Sequence, residues 1–163
     1  MEQQVTIADQ EHLEGLLRSA SRTFAINIPM LPGLLRDALT LGYLLLRNAD
    51  TLEDAYRWPK ERRMAELEEL HRLLDHPDDQ AARTFAARFQ GETALAPGPE
   101  LDLLRQTPYL LAQLRSLPEA YALEVLSHVA RVIQRMENWV ARHDEANHLQ
   151  IERLSQLDDY CYS

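Results

Sequence analysis

The chain has 163 residues and a mass of 18.8 kDa, which suits one hydrophobic core. Its 17 basic and 26 acidic residues give a net charge of −9, which argues against nucleic acid as a partner. The single cysteine excludes an internal disulfide and favours a reducing compartment. Because no signal-like or membrane-spanning apolar run is found, we expect a cytoplasmic protein.

The composition predicts an all-α fold in a single domain over residues 1–163. Glycine is scarce, leucine, alanine, glutamate and arginine are abundant, and eight prolines separate segments of helical period. The longest predicted loop covers 91–99. In chain order, the predicted helices cover residues 9–19, 21–28, 33–54, a segment starting at 59, 79–90, 108–117, 118–142 and a segment starting near 149.

Two of these helices carry strong patterns. Residues 38–46 are apolar on nearly every face, which predicts a central helix surrounded by others. Residues 118–142 carry one apolar stripe with spacings of four and three, which predicts a face packed on the core. The charged mixture at 61–69 favours a solvated helix face.

Three carboxylates follow the central helix. Asp50 and Asp54 are four residues apart and share one side of the helix with Arg47, and Glu53 lies beside them. At a helix C-terminus each carboxylate costs up to about 1 kcal/mol, because the helix dipole is already negative there. A divalent cation such as Mg²⁺ would reverse this effect and bind a diphosphate beside an apolar cavity. An exposed helix end without metal is the alternative interpretation.

Other polar groups favour structural roles. Asp75, Asp78 and Asp79 repeat the acidic spacing, but Pro77 places them in a predicted solvated loop. The six histidines, including His143 and His148, lack metal-ligand spacing and are expected at the surface or at helix caps. Cys161 is expected to be a small buried hydrophobe.

Three segments resemble signatures of the squalene and phytoene synthase family. Residues 46–54, Leu-Arg-Asn-Ala-Asp-Thr-Leu-Glu-Asp, resemble its first aspartate-rich motif, in a form closer to the squalene synthase branch. Residues 21–24, Ser-Arg-Thr-Phe, are similar to its Ser-Lys/Arg-Ser/Thr-Phe signature. Residues 159–163, Asp-Tyr-Cys-Tyr-Ser, resemble the start of its Tyr-Cys-x-x-Val-Ala-Gly motif. The three occur in family order, from about residue 13 to the last residue.

The resemblance implies the N-terminal portion of an isoprenoid synthase fold. It implies a Mg²⁺-dependent prenyltransferase that joins two farnesyl diphosphates head to head, through a cyclopropyl (presqualene) diphosphate, to squalene. NADPH would then serve the reductive step. The alternative within the family is a phytoene synthase-type condensation of two geranylgeranyl diphosphates without a reductant. A non-catalytic helical half-domain that partners a synthase is the alternative from another class.

The resemblance also assigns roles around the acidic motif. Asp50 and Asp54 would hold Mg²⁺ on the diphosphate of one substrate, and Glu53 would support them directly or through water. Arg47 would contact the diphosphate or orient the carboxylates, which makes it both a binding and a catalytic candidate.

Further site residues come from the other two signatures. Ser21 and Arg22 would lie on the segment that closes over a diphosphate. Tyr160 matches the tyrosine that assists proton transfer or stabilises a cation, with packing of a core helix as the alternative. Phe24 and Tyr43 would form part of the apolar wall that keeps water from a carbocation.

The chain also departs from the family pattern. Residues 135–139, Arg-Met-Glu-Asn-Trp, lack the glycine of the family's Gly-Met element, which leaves the role of Glu137 open. The family's second aspartate-rich motif lies beyond the tyrosine motif, so a C-terminal half or a partner chain is expected to supply it. We therefore expect residues 1–163 alone to be inactive. Because the product would be a hydrocarbon, peripheral contact with the inner face of a membrane is also expected.

Overall fold

The computed structural model describes residues 7–146 and 148–161, and these residues form helices without a β-strand. The all-α prediction is therefore confirmed. A short 3₁₀ turn, Ile28–Met30, follows the second helix. The α-helices are α1 Ile7–Ala20, α2 Phe24–Asn27, α3 Gly33–Glu53, α4 Lys60–Asp75, α5 Asp79–Ala87, α6 Pro99–Arg105, α7 Thr107–Ser116, α8 Glu119–Val140 and α9 Leu154–Cys161.

Prolines mark several helix starts, as the sequence predicts. Pro59 and Pro118 immediately precede α4 and α8, and Pro108 lies in the first turn of α7. Proline suits these positions because its fixed φ matches the helix and the N–H that it lacks has no partner there. The starts of α3, α4 and α8 agree with the sequence prediction within a residue or two.

One helix was missed. Helix α6, Pro99–Arg105, lies just after the predicted loop. Its seven residues make fewer than two full turns, which is too short for a clear helical period. It is nevertheless anchored, because three of its leucines are buried: Leu101, Leu103 and Leu104.

The last helix begins later than predicted, at Leu154 instead of near residue 149. A tight loop occupies the intervening positions, where His143 and Leu149 form an isolated β-bridge. Asp144 Oδ1 accepts hydrogen bonds from the backbone N–H groups of Ala146 and His148, both at 2.9 Å. These bonds satisfy the backbone locally and delay the helix. The sequence predicts a break over residues 144–147, and of these Asn147 lies outside the described residues, as do the motif residues Tyr162 and Ser163.

Helix α3 occupies the centre of the fold, as predicted for residues 38–46. It packs against α1, α4, α6, α7 and α8. Leu44, Leu45, Ala49 and Leu52 on this helix are completely buried. One face differs, since Leu39 is exposed toward an open cavity.

Helices α3 and α8 run side by side in the same direction. Near their N-terminal halves, a Cβ atom added at Gly42 would lie 3.4 Å from Val125 Cγ1. Just beyond their C-terminal ends, the rings of Tyr56 and His143 lie 6.2 Å apart. The predicted core stripe of α8 is confirmed, with these residues buried or packed against the core: Ala122, Leu126, Val129, Ile133, Met136 and Val140.

The predicted solvated face at 61–69 is wrong at two positions. Arg63 is completely buried and Glu66 is 7% exposed. Both charges are buried with partners, because Arg63 donates to the Glu53 carbonyl and Glu66 Oε2 accepts from Arg88 at 3.0 Å. Pairing of this kind lets a charged side chain leave water.

His143 is buried instead of exposed, but it caps the end of α8 as expected, with Nδ1 3.0 Å from the Trp139 carbonyl and 3.2 Å from the Val140 carbonyl. The expectation for Cys161 is wrong: it is exposed, because none of the described residues of α9 is buried. The solvated loop is confirmed: Asp75 and Asp78 are exposed, and Asp78 caps α5 by accepting from the Ala81 N–H.

Candidate active site

The three carboxylates lie where α3 leaves the core. Leu52 is still buried, whereas Asp54 is exposed and caps the helix through an N–H bond of 2.8 Å to the Asp50 carbonyl. Arg47 Nη1 donates to Asp50 Oδ2 at 3.0 Å, so the sequence-predicted pair forms. Arg47 Nη2 also lies 3.9 Å from Glu100 Oε1, which holds the guanidinium beside the cluster.

The electrostatics of this helix end are unfavourable for the carboxylates. Burial raises the pKa of Asp50 above its usual value, even though Arg47 opposes the shift. Burial, together with the charges of Asp54 and Asp50, raises the pKa of Glu53 to about 7, with Arg63 acting in the opposite direction. Because the charged forms are disfavoured, an additional cation at this point would stabilise the cluster.

Arg63 is a candidate site residue that sequence reasoning missed. It is buried on α4 and donates a hydrogen bond from Nη2 to the carbonyl of Glu53, the last residue of α3. Its guanidinium carbon lies 4.6 Å from the centroid of the Tyr56 ring. It therefore places a positive charge against the negative end of α3. Within the charged run 61–69, no local signal distinguished it from its neighbours.

Tyr160 on α9 interacts electrostatically with the carboxylates. Burial and the negative charges of Glu53 and Asp54 raise the pKa of its hydroxyl. Its ring meets Trp139 edge to face, with centroids 5.3 Å apart. Tyr160 is 41% exposed, so packing of a core helix does not explain its position.

Tyr56, which the sequence did not single out, joins the same group. It is 52% exposed, and burial and the Asp54 charge raise the pKa of its hydroxyl. Together, Tyr56 and Tyr160 bring two phenol groups to the C-terminal end of α3.

An apolar cavity of about 680 Å³ lies beside the N-terminal two thirds of α3. Phe24 and Tyr43, both predicted as wall residues, line it with ring centroids 4.7 Å apart. Leu46 is at the edge of the cavity one turn before Asp50, so the cavity and carboxylates lie along one helix. The remaining lining residues are Ile28, Leu35, Ala38, Leu39, Gly42, Ala120, Tyr121, Glu124, Val125, His128 and Val129.

Ser21 and Arg22 lie at the entrance to α2. Ser21 Oγ accepts a 3.1 Å hydrogen bond from the Phe24 N–H, and Arg22 is exposed. Among the residues described, no hydrogen bond or ion pair joins either of them to the carboxylates. They are connected to the site through Phe24, whose ring lines the cavity.

Glu137 has a partner outside this site. Its Oε1 lies 3.1 Å from His71 Nδ1 on α4, and His71 Nε2 lies 3.8 Å from Asp75. Glu137 therefore joins α8 to α4 rather than facing the carboxylates of α3.

The donor set fits magnesium better than a metal held entirely by protein. Within residues 7–146 and 148–161, no group of three or more His, Cys, Asp or Glu side chains converges as a ligand cage. In this cluster, no more than two carboxylates could bind the same ion in the present arrangement, and the cluster lies next to a cavity. Mg²⁺ is commonly bound by a few carboxylates, waters and substrate phosphates, so Asp50, Glu53 and Asp54 are suitable ligands.

The helices in the described part of the chain include none that is both long and apolar enough to cross a membrane.

The fold is the helical fold of isoprenoid synthases. A solved structure of TcSQS in complex with the ligand E5700 superposes with a TM-score of 0.74 at 26% identity. The superposition covers 94% of this chain and 40% of that one. The class of protein defined by this fold is therefore one that also contains squalene synthases.

Sequence comparison identifies the family. The squalene/phytoene synthase profile matches residues 17–163, and the chain belongs to this family. It is 24% identical to squalene synthase of Schizosaccharomyces pombe and 27% identical to human squalene synthase. It is 29% identical to lycopaoctaene synthase of Botryococcus braunii. Each alignment covers 90% of this chain, but the chain spans only 29–30% of these relatives' lengths.

Proposed function

We propose that the protein containing this chain condenses two farnesyl diphosphates head to head, through presqualene diphosphate, to squalene. The observation that carries the proposal is the arrangement on α3, where an apolar cavity of about 680 Å³ adjoins three carboxylates and Arg47. The relatives named squalene synthase and the match to the family profile agree with this reaction class.

The carboxylates provide the diphosphate end of the site. Asp50 and Asp54 would hold Mg²⁺, with Glu53 supporting them, and the bound ion would neutralise the charge of the diphosphate leaving group. Arg47 lies on the same helix face, orients Asp50 through their 3.0 Å bond and is partly exposed to solvent. The positive charge of Arg63 limits repulsion within the cluster before a substrate binds.

The cavity provides the prenyl end. Its lining is mostly aliphatic and aromatic, so a hydrocarbon chain bound there would displace water favourably. Phe24 and Tyr43 cover the region next to Leu46, nearest the carboxylates. Exclusion of water at this point would protect an allylic carbocation from hydrolysis. Tyr160, whose hydroxyl pKa is raised by burial and by the charges of Glu53 and Asp54, would assist proton transfer or stabilise the cation.

The rest of the reaction requires residues beyond this chain. In the family pattern, a second aspartate-rich motif supplies the opposite wall, and residues outside 1–163 or a partner chain would provide it here. The reductive step would use NADPH. A helix bundle completed in this way would enclose the exposed side of the cavity at Leu35 and Leu39, which are 42% and 45% exposed.

Product analysis with the full-length protein tests the proposal. With farnesyl diphosphate, Mg²⁺ and NADPH we expect squalene, and Asp50→Asn should reduce its formation by at least about 100-fold. Asp75→Asn is a matched control, because Asp75 is an exposed carboxylate at the end of another helix, α4. Phytoene from geranylgeranyl diphosphate alone would instead establish the phytoene synthase-type reaction. No condensation product from either substrate would contradict the proposed function.

A further inference from the structure

Gly42 lies halfway along the cavity, where α3 and α8 approach each other. A Cβ atom at this position would lie 3.4 Å from Val125 Cγ1, and both residues line the cavity. The backbone does not require glycine here, because Gly42 lies within a regular α-helix and does not have the left-handed φ seen at Gly33 and Gly91. A glycine inside a helix costs about 1 kcal/mol relative to alanine. The absence of a side chain at Gly42 therefore leaves space between α3 and α8 in the cavity.

The position of Gly42 along the cavity can be read from the helix. It lies eight residues before Asp50, or about 12 Å along the axis at 1.5 Å per residue. Leu39 and Leu35 continue the lining farther from the carboxylates, at about 17 and 22 Å on the same basis. On α8, which runs in the same direction, Tyr121 marks the far end. A chain extending from the carboxylates must pass Gly42 to reach this far part.

We propose that Gly42, together with Val125, sets the length of prenyl chain that the cavity admits. The inference rests on the proposed function, because it places the diphosphate at the carboxylates and the hydrocarbon tail in the cavity. A larger side chain at position 42 has little room to turn toward Val125, since even a Cβ would be 3.4 Å from that methyl group. It would enter the cavity and occupy the path to the far part.

A purely structural role for Gly42 makes a different prediction. If glycine serves only the packing of α3 on α8, a larger residue would weaken folding and reduce binding of every chain length equally. If Gly42 controls length, the loss would grow with the number of isoprene units. The dependence on chain length therefore separates the two roles.

The test measures equilibrium binding of prenyl thiodiphosphates with 10, 15 and 20 carbons to the full-length protein with Mg²⁺. Gly42→Leu should change the affinity ratio in favour of the 10-carbon chain by about tenfold or more, as expected for overpacking. Gly15→Leu is the matched control on α1, because a Cβ at Gly15 meets nothing within 4 Å. Its ratios should equal those of the wild type.

A second variant keeps the test decisive if Gly42→Leu does not fold. Val125→Ala removes two methyl groups from α8, opposite Gly42. It should change the affinity ratio in favour of the 20-carbon chain. Ratios unchanged in both variants, or losses equal for all three chains in a folded Gly42→Leu protein, would overturn the inference. Failure of the wild type to bind any of the three ligands would instead overturn the proposed function.

Discussion

The buried guanidinium of Arg63 on α4 donates a hydrogen bond to the carbonyl oxygen of Glu53, the last residue of α3. This contact joins a fixed positive charge to the helix end that carries the carboxylates. It offsets the helix dipole and the carboxylate repulsion at the same point. Arg63 therefore compensates only part of the negative charge at the end of α3, since the pKa of Glu53 is still raised.

Replacing Arg63 should destabilise the protein. Arg63→Met retains much of the buried volume but leaves the Glu53 carbonyl without its donor and removes the positive charge. We expect the free energy of unfolding to decrease by about 2–4 kcal/mol, measured by urea denaturation. Arg83→Met on the exposed face of α5 is the control and should change it by less than about 0.5 kcal/mol. Equal effects of the two substitutions would contradict this role for Arg63.

The raised pKa of Glu53 predicts a pH dependence in the absence of Mg²⁺. Its pKa is about 7 in the folded protein and 4.5 in an ordinary glutamate. Between these values the folded state binds more protons, so the free energy of unfolding decreases as pH rises. Glu53→Gln removes this titration and should be more stable than the wild type at pH 8 by about 1–2 kcal/mol, allowing for solvent screening.

Urea denaturation at several pH values checks this effect. The advantage of Glu53→Gln should decline toward pH 5, where the wild-type carboxyl is already protonated. Glu68→Gln, at an exposed position on α4, should show no comparable trend. A stability difference that is constant from pH 5 to pH 8 would show that Glu53 does not titrate as proposed.

A buried polar pair joins α3 to α7. Asn48 Nδ2 donates to Thr107 Oγ1 at 3.1 Å, and Thr107 Oγ1 donates to the Leu104 carbonyl at 2.7 Å. Both side chains are completely buried. Thr107→Val should lower the free energy of unfolding by about 1–3 kcal/mol, because it leaves the Asn48 amide unpaired. In a double-mutant cycle with Asn48→Leu, the combined effect should be smaller than the sum. Strict additivity would argue against coupling.

The position of Tyr160 predicts a kinetic effect without a large structural one. Tyr160→Phe retains the edge-to-face contact with Trp139 but removes the hydroxyl whose pKa is raised by the charges of Glu53 and Asp54. In the full-length protein we expect turnover to fall by about 100-fold or more, with the unfolding midpoint unchanged. Tyr109→Phe, on α7 and outside the cavity lining, should retain normal turnover. Wild-type turnover in Tyr160→Phe would exclude a chemical role for its hydroxyl.

Sequence patterns predicted the long helices well, for a physical reason. Helices α3 and α8 span 21 and 22 residues, so the apolar period is repeated often enough to define the buried face. Helix α6 was missed because seven residues do not establish a period, and its stability comes from buried leucines contacting other helices. The sequence pattern is sufficient to predict a long helix, whereas formation of a short helix depends on tertiary packing.

In the candidate site, too, some residues could be predicted from local sequence and others could not. Asp50, Glu53, Asp54 and Arg47 could be identified because they are adjacent on one helix and form a familiar motif. Arg63 could not be identified, because its role depends on a contact with the end of another helix.

The exposure of Cys161 was also unpredictable from residue type, since a small apolar side chain is buried only if its helix packs on the core. The proposed role of Gly42 likewise could not be predicted from sequence, because it depends on the close approach of Gly42 to Val125 on another helix.

The proposed condensation is tested most directly by measuring presqualene diphosphate formed by the full-length protein from labelled farnesyl diphosphate without NADPH. We expect formation that requires Mg²⁺, falls by at least about 100-fold in Asp54→Asn and is unchanged in Asp75→Asn. Absence of this intermediate from a folded wild-type protein at saturating Mg²⁺, or equal formation in Asp54→Asn, would contradict the proposed reaction and the role of the carboxylates.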